Sequence, residues 1–117
     1  MNDLIERLEK ATGRDLSLDY QIELYVRDGK PLPRDSQNWP IGVKDYTSSI
    51  DAALTLVPKG LNYVLKARNP GAKSEARVGG PQGGFIIKDG EHSSPAIALC
   101  IAALKARAAM AEQQPVN

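Results

Sequence analysis

Residues 61–90, LNYVLKARNPGAKSEARVGGPQGGFIIKDG, decide how this chain folds. Leu61, Tyr63, Leu65 and Ala67 alternate with Asn62, Val64, Lys66 and Arg68, the period of two that marks a half-buried strand. Asn69-Pro70-Gly71 reads as a turn. Glu75 to Val78 gives a second short strand with Ala76 and Val78 facing one way. Gly79 to Gly84 interrupts it, and Phe85 to Lys88 gives a third strand ending at Asp89-Gly90. Strands joined by connections this short run antiparallel, as a meander.

A three-stranded sheet is unstable bare, so helices must cover it. Upstream, Thr47 or Ser48 caps a helix whose inner face is Ile50, Ala53, Leu54 and Val57, closed by Pro58 and Gly60. Downstream, Ser94 is the N-cap and Pro95 the first residue of a helix running to about Ala109. Ile97, Cys100, Ile101 and Leu104 form one face of it and Leu99 and Ala103 widen that face, so the helix should be buried on most sides. Lys105 and Arg107 suit its C-terminal dipole. At the start of the chain, Asp3 caps a helix over Leu4–Ala11 with Leu4, Ile5, Leu8 and Ala11 inward and Gly13 as the stop. A second helix begins at Ser17, carries Leu18, Ile22, Tyr25 and Val26 inward, and ends at Asp28-Gly29. The expected fold is α+β: a three-stranded antiparallel meander sandwiched by helices, in the order ααα-βββ-α, with three layers. The last helix and the one at 49–57 cover the main apolar face, and the N-terminal pair covers the other face or the edge. Residues 1–111 make one domain and 112–117 a frayed tail.

Residues 28–47 read as a long irregular segment, since Pro31, Pro33 and Pro40 exclude regular structure. Its Trp39, the only tryptophan, either pins the loop to the core or stacks on a ligand.

The composition is that of one ordinary globular domain: 117 residues, 42% hydrophobic and 25% charged, with a net charge of +1. A single cysteine, Cys100, can form no intramolecular disulfide and suits a reducing compartment. No apolar run reaches membrane-spanning length and the N-terminus lacks a signal-peptide pattern, so a cytoplasmic location is expected. Charge is uneven, however. Residues 59–88 carry Lys59, Lys66, Arg68, Lys73, Arg77 and Lys88 against Glu75 alone, a balance of +5, while 1–58 sum to −3 and 89–117 to −1. A basic centre points to an anionic ligand, or else to solvated strand faces.

Motifs with readable chemistry are few. Gly79-Gly80-Pro81-Gln82-Gly83-Gly84 lets backbone amides approach an anion, but lacks the Lys-Ser/Thr ending of a phosphate loop and opens no helix. A Cys100–His92 nucleophile pair is conceivable, yet Cys100 falls on an inward helix face and His92 reads as an exposed residue before a cap. No metal-ligand spacing and no DNA- or RNA-binding signature stands out. Neither a cofactor nor a catalytic residue is assigned.

Residues 46–58, YTSSIDAALTLVP, and 94–106, SPAIALCIAALKA, resemble the two hallmark helices of phage ABA-sandwich domain proteins, and the opening MNDLIERLE resembles their usual start. NinX-like small phage accessory proteins share the layout. The likeness covers about half the chain. It implies helix–sheet–helix layering and an accessory role in an infected bacterium, often against host defence; it carries no functional motif.

The expected function is therefore non-catalytic sequestration of a small anionic, nucleotide-derived signal. Arg68, Arg77 and Lys88 would hold phosphate, Trp39 or Tyr46 would stack a base, and the amides of Gly79, Gly80 and Gly83 would complete the cradle. A homo-oligomer is expected, with the alanine-rich end of the last helix as interface. The alternative is a protein–protein inhibitor or adaptor acting on a host defence protein, with aromatics 39 and 46 as hot spots. A small nucleotide hydrolase is the third reading.

Overall fold

The computed structural model describes residues 2–67, 72–80 and 87–113. The turn at 69–71, Arg68, Gly83, Phe85 and the tail beyond residue 113 lie outside the described residues. The elements are α1 (Asn2–Lys10), α2 (Leu16–Val26), α3 (Ile50–Leu54), β1 (Asn62–Lys66), β2 (Ser74–Gly79), β3 (Ile87–His92) and α4 (Pro95–Gln113). The α+β class, the ααα-βββ-α order and the antiparallel meander β1-β2-β3 are those expected.

The helix starts follow local hydrogen bonding. The Asp15 carboxylate caps α2 by accepting from the Leu18 amide at 3.0 Å, which moves the start upstream of Ser17. At the other end, Asp28 and Gly29 turn left-handed (φ 55° and 77°), and the Gly29 amide donates back to the Leu24 carbonyl. Ser49, not Thr47 or Ser48, caps α3, accepting from Ala52. Thr47 is instead consumed in a buried network. On α3, Ala53 is buried as expected, but Ile50 is exposed, and Leu56, just past the helix end, takes the core position. Ser94 does cap α4, accepting from the Ile97 amide.

In the sheet, Tyr63, Val78 and Lys88 form one cross-strand row; Leu65, Ala76 and Gly90 form the next. Ala76 and Val78 face the core, whereas Tyr63 stays about half exposed and Leu65 half-buried. β3 departs from expectation. It runs through Asp89-Gly90 to His92 instead of ending there, because Gly90 is the point where α4 lies directly on the sheet.

Helix α4 packs mainly on β3 and β2 and reaches β1 only slightly. Its opposite side packs on α3 and α1, and α2 packs on α1. Residues 96–104 are all buried, as a helix between two layers requires. The described layers are thus sheet, α4, then α1–α3. The N-terminal helices do not cover the outer sheet face; Ala11, just after α1, meets the β3 end through His92. No described helix is long and apolar enough to cross a membrane.

The 28–47 segment is tied down by Leu32 and Tyr46, both buried, while Trp39 is 67% exposed. Trp39 sits in a turn held by Asp35, whose carboxylate accepts from the Gln37 and Trp39 amides.

Candidate functional site

Residues alternate across the sheet, so the face away from α4 carries Asn62, Val64 and Lys66 from β1, Glu75, Arg77 and Gly79 from β2, and Ile87, Asp89 and Glu91 from β3. Among the described residues nothing packs over this face. It forms an open concavity of about 920 Å³ whose lining also includes Glu9, Lys73, His92, Ser93 and Lys105; Lys73 precedes Ser74, the register partner of His92, and so stands at the His92 end. Its charges are matched: Lys66, Lys73, Arg77 and Lys105 against Glu9, Glu75, Asp89 and Glu91.

Three side chains fix its shape. Arg77 Nε donates to Asp89 Oδ1 at 2.8 Å across the β2–β3 pair, and that bond with its attraction raises the arginine's pKa further. Lys105 Nζ donates to the Asp89 carbonyl at 3.2 Å, folding α4's side chain over the β3 edge. His92, buried and not exposed as expected, accepts from the Ser94 amide at Nδ1 and faces the Ala11 carbonyl with Nε2. An amide can only donate and a carbonyl only accept, so the proton sits on Nε2 and both ring nitrogens are engaged. The ring is a clamp between β3, α4 and α1.

Of the expected ligand residues, the structure brings together Arg77, Gly79 and Gly80. With Asn62, Tyr63, Val64 and Ile87 they line a shallow recess of about 180 Å³ at the far end of the same face. Gly80 is left-handed there (φ 143°), and a Cβ on it would press on the Asn62 side chain at 3.3 Å. Trp39 and Lys88 are exposed but line neither space. Arg68 and Gly83 lie outside the described residues. Tyr46 must be withdrawn as a base-stacking or hot-spot aromatic: its ring is 1% exposed, and its hydroxyl donates to Glu23 Oε1 at 2.9 Å. Burial first, then that carboxylate, push the phenol's pKa up.

Sequence reasoning missed two carboxylates, Asp19 and Glu23, one helical turn apart on α2 and both buried. Asp19 Oδ1 accepts from the Thr47 amide (2.8 Å) and hydroxyl (2.9 Å), and the Thr47 hydroxyl accepts from the Asp15 amide. These bonds seat the end of the irregular segment on α2. Their signal was the i, i+4 spacing beside Leu18 and Ile22. Burial raises Asp19's pKa, opposed by the Thr47 bonds.

Nucleophilic chemistry finds no activated group at Cys100. It is fully buried, its thiol donates to the Tyr46 carbonyl at 3.2 Å, and burial pushes its pKa up to about 12. Among the described residues no group of three or more His, Cys, Asp or Glu could hold a metal ion.

Comparison with known proteins places no relative beside this geometry. No family model, curated protein or solved structure matches the chain.

Proposed function

We propose that this chain is a non-catalytic binding protein that docks a protein partner on the outer face of its meander. One observation carries the reading: a sheet face that the described residues leave uncovered, opening on a concavity of about 920 Å³ lined by four cationic and four anionic side chains. Small-molecule sites are concave and mostly apolar, with few polar groups. An open face of mixed sign is better matched by a protein surface, where charge patterning gives specificity and steers encounter. With the resemblance to phage accessory proteins, the partner is a host defence protein in the cytoplasm of the infected bacterium. A photo-crosslinking residue at Glu91, exposed on this face at the edge away from β1, should capture one host protein, and Lys66→Glu with Arg77→Glu should abolish capture. A residue at Leu16, exposed on α2, should capture none. Equal capture from both positions, or capture indifferent to charge reversal, rejects the docking face.

A small anionic, nucleotide-derived ligand is the second reading, supported by the meeting of Arg77, Gly79 and Gly80 in one recess. Melting against a panel of cyclic dinucleotides and nucleoside phosphates tests it. A ligand at about 100 times its Kd adds roughly 2.7 kcal/mol, a rise on the order of 10 °C for a domain this size. Arg77→Ala should remove that rise, and a flat panel rejects this reading.

A further inference from the structure

The two edges of the sheet are built differently. β3 is guarded: it carries Lys88, Asp89 and Glu91, and Lys105 reaches over it to the Asp89 carbonyl. These are the devices that keep an edge strand from pairing with another chain. Among the described residues β1 has no strand beyond it; it reads Asn62-Tyr63-Val64-Leu65-Lys66, with no proline and a single charge at its end. Its apolar side chains are open on both faces, Tyr63 at 48% and Val64 at 54% exposure, because α4 covers β2 and β3 and hardly reaches β1. In an antiparallel edge strand, alternate residues turn their amides and carbonyls away from the sheet.

We infer that β1 pairs antiparallel with β1 of a second copy, about a two-fold axis through Val64, joining two meanders into one six-stranded sheet. The strand is symmetric about its centre in the chemistry that matters. Val64 meets the second copy's Val64 on the outer face. Tyr63 meets Leu65 of the second copy, and Leu65 its Tyr63, on the inner face, where each aromatic–aliphatic pair covers surface that α4 leaves open. Charge selects the direction: antiparallel pairing sets Lys66 opposite the second copy's Asn62, whereas in-register parallel pairing would set Lys66 against Lys66. A two-fold contact uses the same patch on both subunits, as this strand does. The inference is independent of what the outer face binds.

Sedimentation of the full chain should give a dimer, concentration-dependent because a single strand pair is a small interface. Val64→Cys should form a disulfide-linked dimer on mild oxidation, the only native cysteine being buried. Tyr63→Cys alone should not, but should cross-link when mixed with Leu65→Cys. Val64→Asp and Val64→Lys should each sediment as folded monomers, and their mixture should recover the dimer. A monomeric wild-type chain, or a dimer in which Val64→Cys does not cross-link, overturns the inference.

Discussion

A Cβ placed on Gly90 would lie 2.3 Å from the carbonyl oxygen of Ala98 and 2.8 Å from the Ala102 amide nitrogen. The backbone of α4 therefore rests on the backbone of β3 with no side chain between them. Ala98 and Ala102, one turn apart, and Ala76 beside Gly90 keep this contact close. Such packing brings the whole apolar circumference of α4 into the core.

Gly90→Ala should accordingly be among the most damaging single substitutions in the chain. The colliding atoms are backbone and cannot swing aside, so the cost should reach about 3 kcal/mol, the upper end for overpacking. Thermal melting should fall on the order of 10 °C. An unchanged melting temperature would mean that α4 does not sit on β3 as described.

That glycine also shows where sequence reading stopped. Asp89-Gly90 is a common turn pair, and read locally it closed β3 there; only the partner helix reveals a glycine chosen for close approach. By contrast, the Ala76/Val78 alternation and the Ser94-Pro95 helix start are local signals, and both survive in the structure. The site divided the same way. Arg77, Gly79 and Gly80 are near neighbours in sequence and meet in space, whereas Glu9, Asp89 and Lys105 come from three elements and share a wall only once the chain is folded. Tyr46 was misread because an aromatic beside a proline-rich polar segment resembles a surface residue, and its buried partner Glu23 is 23 positions away.

Thr47→Val keeps the shape of the buried junction and deletes its hydroxyl. The Asp15 amide then loses its acceptor and Asp19 loses one donor, a loss of about 2 kcal/mol by the usual cost of unsatisfied buried groups. Thr47→Ser should recover most of it. Denaturant midpoints of the three proteins decide the matter, and a neutral Thr47→Val would sink the role assigned to the network.

Asp19 gives a pH dependence with a definite sign. Burial raises its pKa in the folded protein, so the native state binds this proton more tightly than the unfolded chain does. Stability from this group is full below the unfolded aspartate value of about 3.9 and declines as pH rises through the folded value. Subtracting Asp19→Asn stability from that of the wild type cancels the other carboxylates. The difference should favour the wild type more at acid pH and shrink toward neutrality; a difference that grows with pH would contradict the burial cause.

Cys100 should be silent to thiol reagents in the native protein. Its thiol is enclosed and its pKa is pushed up to about 12, so neither access nor thiolate is supplied at neutral pH. Labelling should proceed only through opening of α4 and should accelerate with denaturant in step with unfolding. Rapid native-state labelling would show that α4 is not the enclosed middle layer.

Trp39 reports on the opposite condition. It is the only tryptophan, is 67% exposed and lines neither recess of the outer sheet face. Acrylamide should quench its fluorescence nearly as well in the folded as in the unfolded chain. Occupation of the outer sheet face should leave that quenching unchanged, whereas a ligand that stacks on Trp39 should protect it. Protection by a bound partner would move the binding surface from the meander to the 28–47 segment, and would restore Trp39 to the role its exposure leaves open.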